Sequence, residues 1–493
     1  MFNFIKPTKI LFTSLNSKYI HSNLALKYLM NNCQEITKAR PGVDEIILLD
    51  SREYTINNSY DYIYTDILLG QYKVICFSCY IWNIESIINL AKDIKKAVPD
   101  TIIIFGGPEV SYESEKYLEY ADIVISGEGD ESLLNTLIEL RDKDFKAEKH
   151  VVYSQLYDFA NRPFPYKEVD HNKIIYYESS RGCPFNCSYC MSSIDKTVRA
   201  LPVEKVKEEL QFFIDRKIKQ LKFVDRTFNY DLSRAKELFS YIIENDNGIT
   251  NFHMELCGDI MDDETIEILS KARKGLFQFE IGIQSNKKET LKAIHRHTDN
   301  EKNFKYIEKL IALGNAHIHV DLIAGLPYED IKSFAESFNA VYNLGADNLQ
   351  LGFLKLLKGT EIYDKRDEFQ YRFQDRAPYQ IISNEFMSAY NIAGLKELEE
   401  VLDLYHNKGG FARSINMLIE DNPYRFYSKL AFYYYKNGYQ HVSHSKMELY
   451  RILLAFMKES NIDEDVAKET LLEDMKDSLN EEEVKRFLKK GWD

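Results

Sequence analysis

Apolar residues in the first 140 positions come in short unbroken runs at 10–12, 46–49, 74–77, 102–105 and 123–125. Stretches of helical spacing, such as 22–30, 84–98 and 131–140, separate them. A strand that is apolar at every position is buried on both faces, so the pattern predicts parallel strands covered by helices. Five such units make residues 1–140 a doubly wound, Rossmann-like or flavodoxin-like domain. Residues 141–170, broken by Pro163-Phe164-Pro165, read as a linker. A second βα series follows, with strands at 174–178, 221–224, 252–256, 277–283, 317–323 and 348–354. Six parallel strands with intervening helices predict a partial (β/α)6 barrel over 171–377. From 378 to 493 the spacing is helical, as at 395–405, 427–435 and 449–457, which predicts an α-helical C-terminal domain. The fold class is α/β.

A chain of 493 residues exceeds one hydrophobic core and agrees with two or three domains. Its formal charge of −14 disfavours nucleic acid as a partner. Met1 to Lys6 lack the basic-then-apolar pattern of a signal peptide, and no run reaches the ~18 apolar residues of a membrane span. A cytoplasmic protein without a membrane partner is expected. Seven cysteines, an odd number, argue against a disulfide framework.

Ligands of parallel sheets bind beyond the carboxyl ends of the strands. In the first sheet those ends carry Ser14, then Ser78-Cys79-Tyr80-Ile81-Trp82-Asn83, Gly106-Gly107-Pro108-Glu109 and Gly127-Glu128-Gly129. Small, polar, glycine-bearing loops let backbone approach a flat ligand closely. No G-x-G-x-x-G follows the first strand, which counts against a dinucleotide.

Cys183, Cys187 and Cys190 follow the first barrel strand at spacing C-x3-C-x2-C. Soft thiolates are natural ligands of iron–sulfur clusters, and three of them leave one iron of a cubane open to a substrate's amino and carboxylate groups. Closed structural zinc wants four ligands, and no fourth Cys or His follows at finger spacing. The segment resembles the cluster motif of the radical S-adenosylmethionine (SAM) superfamily, with Tyr189 in the aromatic position before the last cysteine. The resemblance implies a [4Fe–4S] cluster on Cys183, Cys187 and Cys190, with SAM on the open iron. It also implies a low-potential electron donor such as flavodoxin or ferredoxin, and a 5′-deoxyadenosyl radical. Position by position, it places Asp225 at the amino group of SAM, although the common Gly-Gly-Glu form is absent. Glu280, Gln284 and Ser285 would face the bound SAM, and Gly325 would admit its adenine.

A Rossmann-like domain before such a barrel is similar to the cobalamin-binding class of the superfamily. By that resemblance Ser14, Ser78, Tyr80, Trp82, Asn83, Gly106, Gly107, Pro108, Glu109, Gly127, Glu128 and Gly129 would surround cobalamin. The Asp-x-His-x-x-Gly motif that supplies a cobalt ligand in cobalamin mutases is absent. Trp82 would stand beside cobalt, or pack against a helix. Cys76 and Cys79 form a C-x2-C pair on an apolar strand and read as buried structural thiols; His295 and His297 read as solvated. The implied reaction is methyl transfer to an unactivated carbon, with a radical cyclisation or rearrangement as an alternative. A second alternative is a methylthiotransferase holding another cluster on Cys33, Cys76 and Cys79. The substrate is not legible.

Overall fold

The computed structural model describes residues 7–38 and 46–492; the Met1 to Lys6 reading lies outside them. The first sheet contains β1 (Thr8–Asn16), β2 (Ile47–Thr55), β3 (Val74–Ser78), β4 (Ile102–Gly106), β5 (Ile123–Ser126) and β6 (His150–Tyr153), in the order β2-β1-β3-β4-β5-β6. Every neighbouring pair is parallel. Successive residues serve opposite faces. Leu11, Ile75, Phe77, Ile103 and Phe105 pack on one side, and Ile10, Phe12, Val74, Ile102 and Ile104 on the other. That double burial is why the runs are continuous. The strand order reverses between β1 and β3, which leaves a crevice at their carboxyl ends.

The sixth strand corrects the reading of 141–170 as linker only. His150–Tyr153 pairs with β5, from Ile123 opposite His150 to Ser126 opposite Tyr153. Its residues are half-buried or exposed, as an edge strand's are, so it lacks the apolar signal of the others. Further along the same segment, fully buried Arg162 meets Glu209 at 2.7 Å and donates to the Glu178 carbonyl. This fastens the connection to the second unit.

That unit holds β7 (Ile175–Tyr177), a short hairpin of β8 (Ser180–Arg181) and β9 (Arg199–Ala200), then β10 (Gln220–Phe223), β11 (Asn251–Leu256), β12 (Phe277–Gln284), β13 (His317–Ala324) and β14 (Asn348–Phe353). The six long-range strands form a parallel sheet in the order β14-β13-β12-β11-β10-β7, as the pattern predicted. Along β12, buried Phe277, Phe279, Ile281 and Ile283 alternate with half-buried Gln278, Glu280, Gly282 and Gln284. The apolar set faces the surrounding helices and the polar set faces the lumen.

A strap then crosses the barrel mouth, carrying β15 (Arg372–Phe373) and β16 (Ile381–Ser383), which are antiparallel. Helical structure resumes only at Ala389–Leu402, so the segment after 378 is not helical throughout. The remaining helices share one continuous core with the barrel. Tyr427 and Asn422 join it to the barrel helix Ile331–Tyr342 through Tyr342 and Asn339. Among the described residues, no helix is long and apolar enough to cross a membrane.

Candidate functional site

The cysteine loop leaves β8 and returns through β9. Gly182 has φ +96°, and a Cβ there would collide with the Thr197 carbonyl, so only glycine fits at the loop's entrance. Asp225, at the end of β10, holds that entrance. Its carboxylate accepts from the Ser179 amide at 2.8 Å and from the Ser179 and Ser180 hydroxyls at 2.6 Å each. Burial pushes it up to about 6, against the pull of those bonds. Both oxygens are therefore engaged. Asp225 fastens the loop from the end of β10.

Cys183 stands 3.8 Å from the Thr227 hydroxyl, and buried Cys187 takes a 3.9 Å contact from Arg296 Nη1. The Cys190 amide donates to the Cys187 carbonyl. Burial raises the Cys183 thiol, and the neighbouring Cys190 and Cys187 add to the effect, so the three are electrostatic neighbours. Among the described residues no group of three His, Cys, Asp or Glu has single-ion geometry. A cubane takes one thiolate per iron corner and asks for thiols spread around it, so the donor set fits a cluster better than one ion. Tyr189 packs on the barrel core beneath the loop. Arg296, unremarked in the sequence, also donates to the Gly282 carbonyl. His295, expected to be solvated, meets Asn186 of the cysteine loop and Glu361.

The lumen is ionic. Glu280 accepts from His253 at 3.1 Å and Lys222 at 3.3 Å, and that pairing holds it down at about 2 despite burial. Asp321, on β13, is pushed up to about 8 by burial and by Glu280 and Glu255, and its Oδ1 has no partner. Gln284 Oε1 is likewise orphaned, on a residue at φ +71° where the β12–β13 register shifts. Two predicted contacts fall elsewhere. Ser285 is fully buried and donates to Glu329 at 2.6 Å beneath the strand. Gly325, at φ +91°, faces the strap: a Cβ would sit 2.5 Å from Ile381 Cδ1. Tyr371 and Asn384 both donate to its carbonyl. The close approach that the structure shows at Gly325 is to Ile381 of the strap.

A cavity of about 780 Å³ opens at the carboxyl ends of the first sheet. Ser78, Tyr80 and Trp82 line it, as do Gly106, Gly107 and Pro108 and the Gly127-Glu128-Gly129 turn. The Tyr80 and Trp82 rings stack at 4.4 Å and 7°, and Trp82 remains 45% exposed rather than packed under a helix. Three expected contacts are not in the lining. Ser14 and Asn83 are buried, Ser14 donating to the Ser78 carbonyl and Asn83 to Leu15 and Ser78. Glu109 turns away to Tyr117, Tyr379 and Lys358. The opposite wall comes from the cysteine loop, through Met191, Ser192 and Ile194, and from Val224 and Arg226. Glu128 ties the walls together: Arg199 reaches it at 2.6 Å, and Arg181, which also pairs with Asp130, at 3.5 Å. Burial pushes Glu128 up, but the two guanidiniums hold it below the carboxylate range.

Family models divide the chain into the same order of parts. A B12 binding domain matches residues 11–137 and the Radical SAM superfamily matches 177–341. The chain belongs to the radical SAM superfamily, in the class that carries a B12 binding domain. Residues 367–492 of this radical SAM chain match a family described as a protein of unknown function, DUF4080. It is 23% identical over 314 residues to 2-(S-pantetheinyl)-carbapenam-3-carboxylate methyltransferase of Streptantibioticus cattleyicolor. It is 24% identical over 307 residues to the cobalamin-dependent radical SAM methyltransferase TokK of Streptomyces tokunonensis. Each match takes in 55% of this chain but only 45% of the relative's length. A tRNA-2-methylthio-N(6)-dimethylallyladenosine synthase of Clostridium botulinum is 24% identical, covering 64% of this chain and 72% of that protein. Among solved structures, the cobalamin-dependent radical enzyme OxsB with aqua-cobalamin bound superposes with a TM-score of 0.63 at 15% identity, over 99% of this chain and 85% of OxsB. TsrM from Kitasatospora setae gives 0.57 at 13% identity, over 73% and 75%. These likenesses establish the fold.

Proposed function

We propose that this chain binds a [4Fe–4S] cluster on Cys183, Cys187 and Cys190 and cobalamin in the large cavity, cleaves SAM reductively, and methylates an unactivated carbon. One observation carries the proposal: a single cavity takes one wall from the glycine loops of the first sheet and the other from the cysteine loop. Two cofactors that must cooperate would thus face each other with no protein layer between them. When bound, the cluster supplies the electron that breaks a sulfur–carbon bond of SAM, and cobalamin supplies a methyl carrier.

The chain's own residues do the rest. Asp225 and Gly182 set the path of the cysteine loop, and the Arg296 guanidinium lies against the Cys187 sulfur. The orphaned acceptors of Gln284 and Asp321 suit the hydroxyls of a ribose. The Tyr80–Trp82 stack offers a flat aromatic wall to a macrocycle, and the Glu128–Arg199–Arg181 bridge fixes the spacing of the two cavity walls. Methyl transfer as the outcome is supported by the activity named for two relatives. The methylthiotransferase alternative is disfavoured by the other cysteines: buried Cys33 and Cys76 lie on one face of the first sheet and Cys79 on the other, so they do not gather around a second cluster. The test is anaerobic incubation of reconstituted protein with dithionite or reduced flavodoxin and SAM. Production of 5′-deoxyadenosine, lost in Cys187→Ala, is expected; its persistence in that variant would refute the cluster assignment.

A further inference from the structure

A cluster of buried polar side chains joins the strap to the first sheet. Glu109 directly follows the cavity-lining Gly106-Gly107-Pro108 loop and is itself buried outside the lining. Its carboxylate accepts from the Tyr117 hydroxyl at 3.2 Å and from the Tyr379 hydroxyl of the strap. Lys358, also of the strap, lies 3.7 Å from that carboxylate and donates to the Tyr117 and Tyr379 hydroxyls at 3.3 and 3.2 Å. Tyr117 and Tyr379 are buried, and the Lys358 side chain is only 11% exposed. The Leu356 amide donates to the Tyr379 carbonyl at 3.0 Å, so the two strap segments reach Glu109 together. Tyr379 holds φ +55°, a left-handed backbone that is strained for a residue with a Cβ. A buried ion pair adds little net stability over apolar packing; what it supplies here is one fixed register between the parts it joins.

On the cavity side, the Glu109 amide donates to the Cys79 carbonyl at 3.3 Å and the Cys79 amide to the Gly106 carbonyl at 2.7 Å. Gly107, at φ +109°, presses on the same Cys79 carbonyl, where a Cβ would sit at 2.6 Å. The glycine loop and the loop of Tyr80 and Trp82 therefore meet at Cys79, and Glu109 holds the junction. Gly359, next to Lys358, lies against the ring of Tyr112, another lining residue; a Cβ there would fall 2.3 Å from it. The strap contributes nothing to the lining itself and bears on the cavity through Glu109 and Tyr112. We infer that Tyr379 and Lys358 are positioning residues for cobalamin: through Glu109 they hold the two lining loops in the one arrangement that accepts the corrin. The inference rests on cobalamin occupying this cavity, as proposed above. It makes the strap, which closes the barrel mouth, a determinant of cobalamin affinity.

The test uses the full-length chain, reconstituted anaerobically with iron and sulfide and equilibrated by dialysis against hydroxocobalamin, whose visible absorbance reports bound and free fractions. Tyr379→Phe and Lys358→Met should each weaken binding roughly 5–50-fold, because a released loop holds the binding arrangement only part of the time. Tyr371→Phe cuts a strap hydrogen bond of 3.1 Å to the Gly325 carbonyl, away from Glu109, and should leave the affinity within about 2-fold. Tyr379→Phe should weaken binding no further once Glu109→Gln is present, since both act through one carboxylate. Should Glu109→Gln fail to fold, the directly bonded pair Tyr379→Phe and Lys358→Met supplies the same cycle. Retained iron content marks each variant as folded. Unchanged affinity in both strap variants, additive losses in the cycle, or an equal loss in Tyr371→Phe would overturn the inference. A wild-type chain that holds iron but no cobalamin would instead sink the reading of the cavity on which it rests.

Discussion

Replacing Gly325 by alanine separates the strap from a ligand as the reason for glycine at the end of β13. Backbone at φ +91° strains any residue with a Cβ by about 1–3 kcal/mol. The new methyl would also lie 2.5 Å from Ile381 Cδ1 and 3.2 Å from its Cγ2, in a fully buried contact where overpacking costs about 1–3 kcal/mol. Gly325→Ala should therefore lose about 3 kcal/mol, a shift of roughly 6–12 °C for a cooperative unit of 150–250 residues. Ile381→Val alone should cost about 1 kcal/mol and removes the nearer clashing atom. The double variant should be less destabilised than the sum of the two by about 1–2 kcal/mol, because the steric part is relieved while the backbone strain stays. Denaturant unfolding of ligand-free protein, followed through the barrel transition, measures the cycle. A stable Gly325→Ala variant that has lost only SAM affinity would refute the reasoning and return Gly325 to the ligand.

Other outcomes are expected from the same geometry. Asp321 titrates at about 8 when folded and near 4 when unfolded, so the native state holds a proton that the unfolded chain has released. Ligand-free protein should lose a few kcal/mol between pH 4 and pH 8 and then level off, and Asp321→Asn should flatten that slope; an unchanged profile would contradict the burial argument. Arg162→Met leaves the buried Glu209 carboxylate without its 2.7 Å partner and should cost about 3–5 kcal/mol in urea unfolding, whereas a loss under 1 kcal/mol would mean the pair is solvated. Arg296→Met removes the cation beside Cys187 and should make the cluster harder to reduce, by roughly 50–100 mV for about 1–2 kcal/mol of lost charge stabilisation; potentiometric EPR reads it, and a rise in potential would be the wrong sign.

The strands were legible where burial is double-sided. Val74–Ser78 is buried at every position, and its apolar run admits no other reading. The edge strand His150–Tyr153 was not, because one neighbour and partial exposure leave no such run. Cysteine spacing announced the loop because three thiols within eight residues have few structural uses. What surrounds the loop was far less legible. Asp225, Ser285 and Glu109 sit at strand ends, as ligand contacts do, yet their partners are Ser179, Glu329 and Tyr379, which only the folded chain supplies. Gly325 reads in the sequence as a place for a ligand, and what the folded chain sets against it is Ile381, some fifty residues on.

The most direct measurement is metal content after anaerobic reconstitution of the full chain with iron, sulfide and cobalamin, followed by gel filtration. About four iron atoms and one cobalt per chain are expected, with iron falling and cobalt retained in Cys187→Ala. Zinc at the cysteine loop, or a chain that retains no cobalt, would contradict two cofactors facing each other across the cavity.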